Sequence, residues 1–160
     1  MSNLSKAFGA KFDKDAIRIR SFVFNGHTFK VKVPLAGEYE ALFETVNNAE
    51  ESKVLQYYQE LTKDLLANKD KVKPEEEVQF TEDDVIVQGR SMKEAAKNKA
   101  ITEQRIVGLI RLLVPEEKDF DMSTVTYDMV EELFPFPVQL ELIEHIANTI
   151  SPNYKETRGK

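Results

Sequence analysis

SMKEAAKNKAITEQRIVGLIRLLV, running from Ser91 to Val114, decides how the rest of the chain is read. Ser91 followed by Glu94 has the spacing of a capping box, in which each side chain satisfies a backbone N–H left orphaned at a helix start. Pro115 ends the run, because it lacks an N–H and biases Val114 away from helical geometry. On a 3.6-residue wheel Met92, Ala95, Ile106, Leu109, Ile110 and Leu113 share one face. Ile101, Gly108 and Leu112 fall roughly opposite, so the C-terminal half is apolar on two sides. A helix of that kind is sandwiched between other elements. Gly108 costs about 1 kcal/mol against Ala in a helix interior, and close approach by another element would be a reason for it. The expectation is a central helix with the remaining elements arranged around it.

Toward the N-terminus the period changes to two. Within Ile17 to Val33, residues Phe22, Phe24, Phe29, Val31 and Val33 point to one face whether Asn25-Gly26 makes a two-residue turn or Asn25 to Thr28 a four-residue one. Asn-Gly between alternating runs is the strongest short-range hairpin signal, because both residues tolerate positive φ. Arg18, Arg20, Lys30 and Lys32 keep the strands soluble and discourage edge pairing. Pro34 closes the second strand. Leu35, Tyr39, Leu42, Phe43 and Val46 then follow helical spacing as far as Asn47. Asn47-Asn48 breaks that helix. A second, from Glu50 to Ala67, carries Val54, Tyr58, Leu61 and Leu65, with Leu55, Thr62 and Leu66 widening one shoulder. The two are expected to form a short-looped antiparallel pair.

Residues 68–82 open with NKDKVKPEEE and read as a charged loop without apolar period. Asp84 to Gly89 reads as a short extended segment leading into the Ser91 cap, and as a candidate third strand for the hairpin. Beyond Pro115, Glu116 to Met122 is a polar connection. Thr124 to Phe134 is a short helix carrying Val125, Met129, Val130 and Leu133, broken by Pro135-Phe136-Pro137. Val138 to Ile150 is a last helix that buries Leu142, Ile143, Ile146, Ala147 and Ile150 before Ser151-Pro152 stops it. Residues 1–16 lack a period and are expected to be mobile, and residues 153–160 to fray. The fold class is α+β and mainly helical. An N-terminal antiparallel β-hairpin (17–33) precedes about five helices around a central one, in a single domain over residues 1–160. The hairpin is expected to dock on the first helix pair and the central helix.

Composition bounds the function. With 160 residues, 41% hydrophobic and 31% charged, the chain is long enough to bury a core and too apolar for a disordered one. A net charge of −6 argues against a nucleic-acid or anionic-membrane partner, which needs clustered Lys and Arg. The absence of cysteine rules out disulfides and thiolate metal sites and fits a reducing compartment. No apolar run approaches the ~20 residues that span a bilayer. The opening MSNLSKAFGAKFDKD lacks the apolar heart of a secretory signal, so a cytoplasmic location is the default.

Chemistry-bearing patterns are sparse. His27 lies in or beside the hairpin turn. His145 follows Glu141 by one turn and adjoins Glu144, and a solvated surface pair is a simpler reading than a proton relay or half a metal site. Asp83-Asp84 and Glu75-Glu76-Glu77 lack the spacing of a calcium loop. No phosphate loop occurs. Gly89-Arg90-Ser91 has the N–H groups and the guanidinium to hold an anion, yet reads more simply as a turn plus a cap. No Gly-x-Ser-x-Gly elbow is present. Catalytic residues, a metal and a cofactor are therefore not expected, nor is an enzyme. Apolar side chains beyond the need of one helical stripe are the remaining lead: Tyr57, Tyr58, Leu66, Phe134, Phe136 and Tyr154. The plainer reading has them filling a core and its lid. The functional one makes Tyr57, Tyr58, Leu66, Phe134 and Phe136 a protein-binding patch, where aromatics are enriched. Wide stripes also suit self-association.

The opening SFVFNGHTFKVKVP running into LAGEYEALFE resembles the N-terminal signature of the tail assembly chaperones of long-tailed (siphovirus-type) bacteriophages. VIVQGRSMKEAAKNKAITEQRIVGLIRLLVP and ELIEHIANTISPNYKETRGK are similar in style to members from Gram-positive phages and prophages. The resemblance covers most of the chain in organisation, through diffuse motifs and without a catalytic signature. It implies a non-enzymatic protein of the host cytoplasm, typically absent from the finished virion. Such a protein binds the long helical tape measure protein, keeps it soluble and helps recruit tail tube protein around it. In many members a ribosomal frameshift near the end of the gene appends a second domain. A structural phage component (a head–tail connector or minor tail protein) and a small protein-binding adaptor are the alternatives.

Overall fold

A computed structural model describes residues 3–151. In chain order the elements are α1 (Asn3–Ala7), β1 (Ile19–Phe24), β2 (His27–Lys32), α2 (Ala36–Asn47), α3 (Glu51–Ala67), β3 (Val78–Phe80), β4 (Val85–Val87), β5 (Arg90–Ser91), α4 (Met92–Ile110), β6 (Leu113–Val114), α5 (Tyr127–Leu133) and α6 (Phe136–Ile150). The class is α+β, with the antiparallel strand pair first and five α-helices after it. A short helix, α1, occupies part of the aperiodic N-terminal stretch. The expected frayed tail, like Tyr154, lies outside the described residues.

The chain divides into two compact units. One is built from the residues up to Ala41 together with those from Ile106 onward; the other runs from Leu42 to Arg105. In the first unit the hairpin forms with the shorter turn. Phe22 stands opposite Phe29 and Phe24 opposite His27, and Asn25 and Gly26 take φ of 51° and 76°. Two positive φ values make a type I′ turn, whose twist matches that of the flanking strands. Phe24 and Val31 are buried, and the Phe22 and Phe29 rings stack with centroids 5.5 Å apart.

The helix that covers this hairpin is α6, rather than the first helix pair or the central helix as expected. Leu142, Ile143, Ile146 and Ile150 are all buried on one side of α6 and give it a continuous apolar stripe to lay on the sheet. Arg20 Nη1 donates to the Thr149 carbonyl at 2.9 Å and Tyr39 Oη to the Ile150 carbonyl at 3.3 Å, so polar contacts also tie β1 and the start of α2 to the end of α6. Ahead of α2, Glu38 Oε1 accepts from the Leu35 N–H at 2.9 Å and from Arg18 Nη2 at 2.6 Å. The Leu35 N–H, with Arg18 adding its charge, holds the Glu38 carboxyl below its usual range against the opposing effect of burial.

The expected helix over Ser91 to Val114 ends a turn early. The N–H groups of Arg111 and Leu112 close onto Val107 and Leu109 carbonyls, and the Leu112 carbonyl then accepts from the Lys32 N–H at 2.8 Å. Leu113 and Val114 consequently pair with Val31 and Lys30, giving a sheet of order β1-β2-β6. Pro115 is the physical reason, since it pushes Val114 to extended geometry.

In the second unit a separate sheet of order β3-β4-β5 precedes α4. The extended segment at Asp84 to Gly89 supplies β4, but it pairs with β3 and β5 and not with the hairpin. Residues 68–82 are not wholly loop: Val78 and Phe80 alternate with Gln79, and that period of two is enough for β3. Gln88 and Gly89, at φ 50° and 77°, turn the chain from β4 into β5. Asp84 then caps α4. Its Oδ1 accepts from the N–H groups of Val85 at 2.7 Å and Lys93 at 3.0 Å, its Oδ2 from the Ser91 hydroxyl, while Ser91 Oγ accepts from the Glu94 N–H at 3.1 Å.

Candidate protein-binding surfaces

The first surface is built on α3. Gln104 of α4 fixes the turn that precedes it, with Nε2 donating to the Thr45 and Asn48 carbonyls and Oε1 accepting from the Glu50 N–H at 3.0 Å. Only Thr62 of α3 is fully buried, its hydroxyl turned back on the Tyr58 carbonyl at 2.7 Å. The stripe expected for this helix is thus only partly covered, and Leu55, Leu61 and Leu66 are exposed. Leu55, Tyr58, Thr62 and Leu66 line one shallow depression. Val54, Leu55 and Tyr58 also line a cleft of about 660 Å³ with Asp83, Lys93 and Lys97. Burial pushes the Tyr58 phenol up in pKa, and the Asp84 and Asp83 carboxylates push it further. Tyr58 and Leu66 therefore line the same depression. Tyr57 faces elsewhere: its hydroxyl donates to Glu103 Oε1 at 2.8 Å, and the Lys99 ammonium lies 4.3 Å from its ring centroid.

The second surface is the corner between α5 and α6, in the other unit. Thr126 caps α5 by accepting from the Met129 N–H. Val130 is buried, whereas Met129 and Leu133, one turn apart, are exposed. Pro135 starts α6, and Phe136 and Leu140, again one turn apart, are exposed. Gln139 holds the corner from inside. It is 1% exposed, its Nε2 donates to the Phe134 carbonyl at 2.8 Å, and its Oε1 accepts from the Tyr127 hydroxyl at 3.0 Å. Of the two residues expected here, Phe136 is on the surface and Phe134 is half-buried. Sequence reasoning missed Leu133 and Leu140, the first of which is 72% exposed. Helical spacing carried no signal for Leu133, since Met129, Val130 and Leu133 fall within about 100° of one another on the wheel and could all face one core.

The two histidines lie in different surroundings, both within the first unit. His27 Nε2 is 3.7 Å from Glu116 Oε1, with both side chains exposed. His145 is exposed, as are Glu141 and Glu144, and its ring centroid lies 5.8 Å from that of Phe22 and 5.4 Å from that of Phe24 on the hairpin. At Gly89-Arg90-Ser91 the N–H groups of Lys93 and Glu94 that an anion would use are already taken by Asp84 and Ser91. Among the described residues no three His, Asp or Glu side chains group as metal ligands would, and no helix is long and apolar enough to cross a membrane. No family model matches the chain, and no curated protein or solved structure matches it.

Proposed function

We propose that the chain is a non-enzymatic phage tail assembly chaperone that binds the tape measure protein, keeps it soluble and helps recruit tail tube protein. The reading begins from the resemblance of residues 21–44 and of the middle and C-terminal blocks. One observation carries it physically: large apolar side chains stand exposed at helical spacing on α3 and at the α5–α6 corner, where they offer ridges to an apolar helical client. On this reading the protein acts in the host cytoplasm, is absent from the mature virion and uses neither nucleic acid, membrane nor cofactor. Self-association through the exposed α3 residues is compatible with it.

The test is co-expression with the tape measure protein of the same genome, reading client solubility and co-purification. A client that becomes soluble and travels with this chain supports the chaperone. A client that aggregates unchanged, with this chain instead found in purified virions, replaces the reading with a structural tail or connector component. Neither result, in a genome without tail genes beside this one, points to an adaptor.

A further inference from the structure

The α5–α6 corner combines two properties. It carries the exposed ridges Met129–Leu133 and Phe136–Leu140, joined by the two-residue connection Phe134-Pro135. It also lies in residues 119–151, which hold seven Asp or Glu and no Lys or Arg, more than the whole formal net charge of −6. Asp128, Glu131 and Glu132 share α5 with the first ridge, and Glu141 and Glu144 share α6 with the second. All five are exposed. The α3 surface is different in kind, because Lys63, Lys93 and Lys97 are mixed there with Glu60, Asp83 and Glu94.

We infer that the α5–α6 corner is a docking face for a basic amphipathic helix. Ridges of residues four apart accept the i, i+3, i+4 anchors of a helix lying across them. The exposed carboxylates of Asp128, Glu131, Glu132, Glu141 and Glu144 select Lys or Arg beside those anchors and speed their encounter. The same charge opposes a second copy of this chain and an anionic lipid surface. Gln139 holds the two ridges in place by tying α6 to the Phe134 carbonyl and to Tyr127. The inference rests on the reading of this chain as the binder of a helical client, and narrows that reading to one face and one client chemistry.

The test uses the full chain and two synthetic helices of about five turns, one patterned from Leu and Lys and one from Leu and Glu, titrated by calorimetry. The Leu/Lys helix should bind at least about tenfold more tightly than the Leu/Glu helix, and should weaken as salt rises. Leu133→Ser combined with Leu140→Ser keeps every carboxylate and should weaken binding by roughly tenfold or more. Glu131→Lys with Glu132→Lys keeps every apolar side chain and should erase the preference for Lys; circular dichroism checks both variants for folding. Equal binding by the wild type and the double Ser variant would overturn the inference, since charge alone would then hold the peptide. So would a wild-type dimer that the double Ser variant abolishes, because a second copy would be the occupant. Pull-down of the tape measure protein separates the two readings. If the double Ser variant loses the peptide but keeps the client, the face is not the client site and the chaperone reading survives. If the peptide binds and the client never does, the face stands and the chaperone reading falls.

Discussion

Asp84 shows how one side chain settles what two elements do. Burial raises its carboxyl pKa, but the Ser91 hydroxyl and the N–H groups of Lys93 and Val85 outweigh burial and hold it below the ordinary range. A carboxylate whose folded pKa lies below its unfolded value of about 3.9 stabilises the fold above that value and loses the contribution as pH falls through the folded pKa. Asp84→Ala should therefore cost about 2 kcal/mol at neutral pH, by loss of a cap and of charge-assisted hydrogen bonds. Urea unfolding at neutral and strongly acid pH checks it: the gap between wild type and variant should close in acid. Gln139 is the counterpart inside the other unit. It is buried, and Gln139→Ala removes the hydrogen bonds that its amide makes with the Tyr127 hydroxyl and the Phe134 carbonyl, at a cost of about 2 kcal/mol. Thermal unfolding reads that loss, and an unchanged midpoint would mean that water replaces the amide.

Local pattern determines most of the elements, and partner choice is where the pattern is silent. Asn25-Gly26 between alternating aromatics is read directly as a hairpin, because a two-residue type I′ turn needs positive φ at both positions. Nothing lies within 4 Å of a Cβ added at Gly26, so the cost of Gly26→Val comes from its φ of 76° alone. That variant should lose roughly 1–2 kcal/mol in urea unfolding, and Asn25→Gly little. The last helix is equally legible, since Leu142, Ile143, Ile146 and Ile150 recur at helical spacing and are buried. What covers the hairpin is not legible, because α6 is more than a hundred residues further along the chain and periodicity carries no address. Leu113-Val114 is misread as helix for a related reason: its apolar pattern suits either element, and only pairing with Val31 and Lys30 decides. The candidate site suffers in the same way. Tyr58, Leu66 and Phe136 are recognisable as surplus apolar residues. That Tyr57 is engaged by Glu103 and Lys99 depends on which face of α4 lies beside it.

Across the whole molecule, charge and exposed apolar area oppose each other. Leu4, Phe8, Leu35, Phe43, Leu55, Leu66 and Leu133 are each at least half exposed, a load that favours association. The formal charge of −6, concentrated in residues 119–151, resists it. Acidification removes that resistance, because Asp and Glu titrate around pH 4 while Lys and Arg stay charged. Light scattering of the folded chain should consequently rise as the pH falls toward the point of zero net charge, and added salt at neutral pH should raise it by screening the same repulsion. The α5–α6 corner makes the prediction specific, since its apolar ridges lie in a segment with seven Asp or Glu and no Lys or Arg. Leu133→Ser with Leu140→Ser should blunt the acid-induced scattering while leaving the titration of the chain unchanged. Scattering that is equal in both proteins would assign the association to the exposed residues of α1, α2 and α3, and would leave the corner free for a basic partner at every pH at which its carboxylates are ionised.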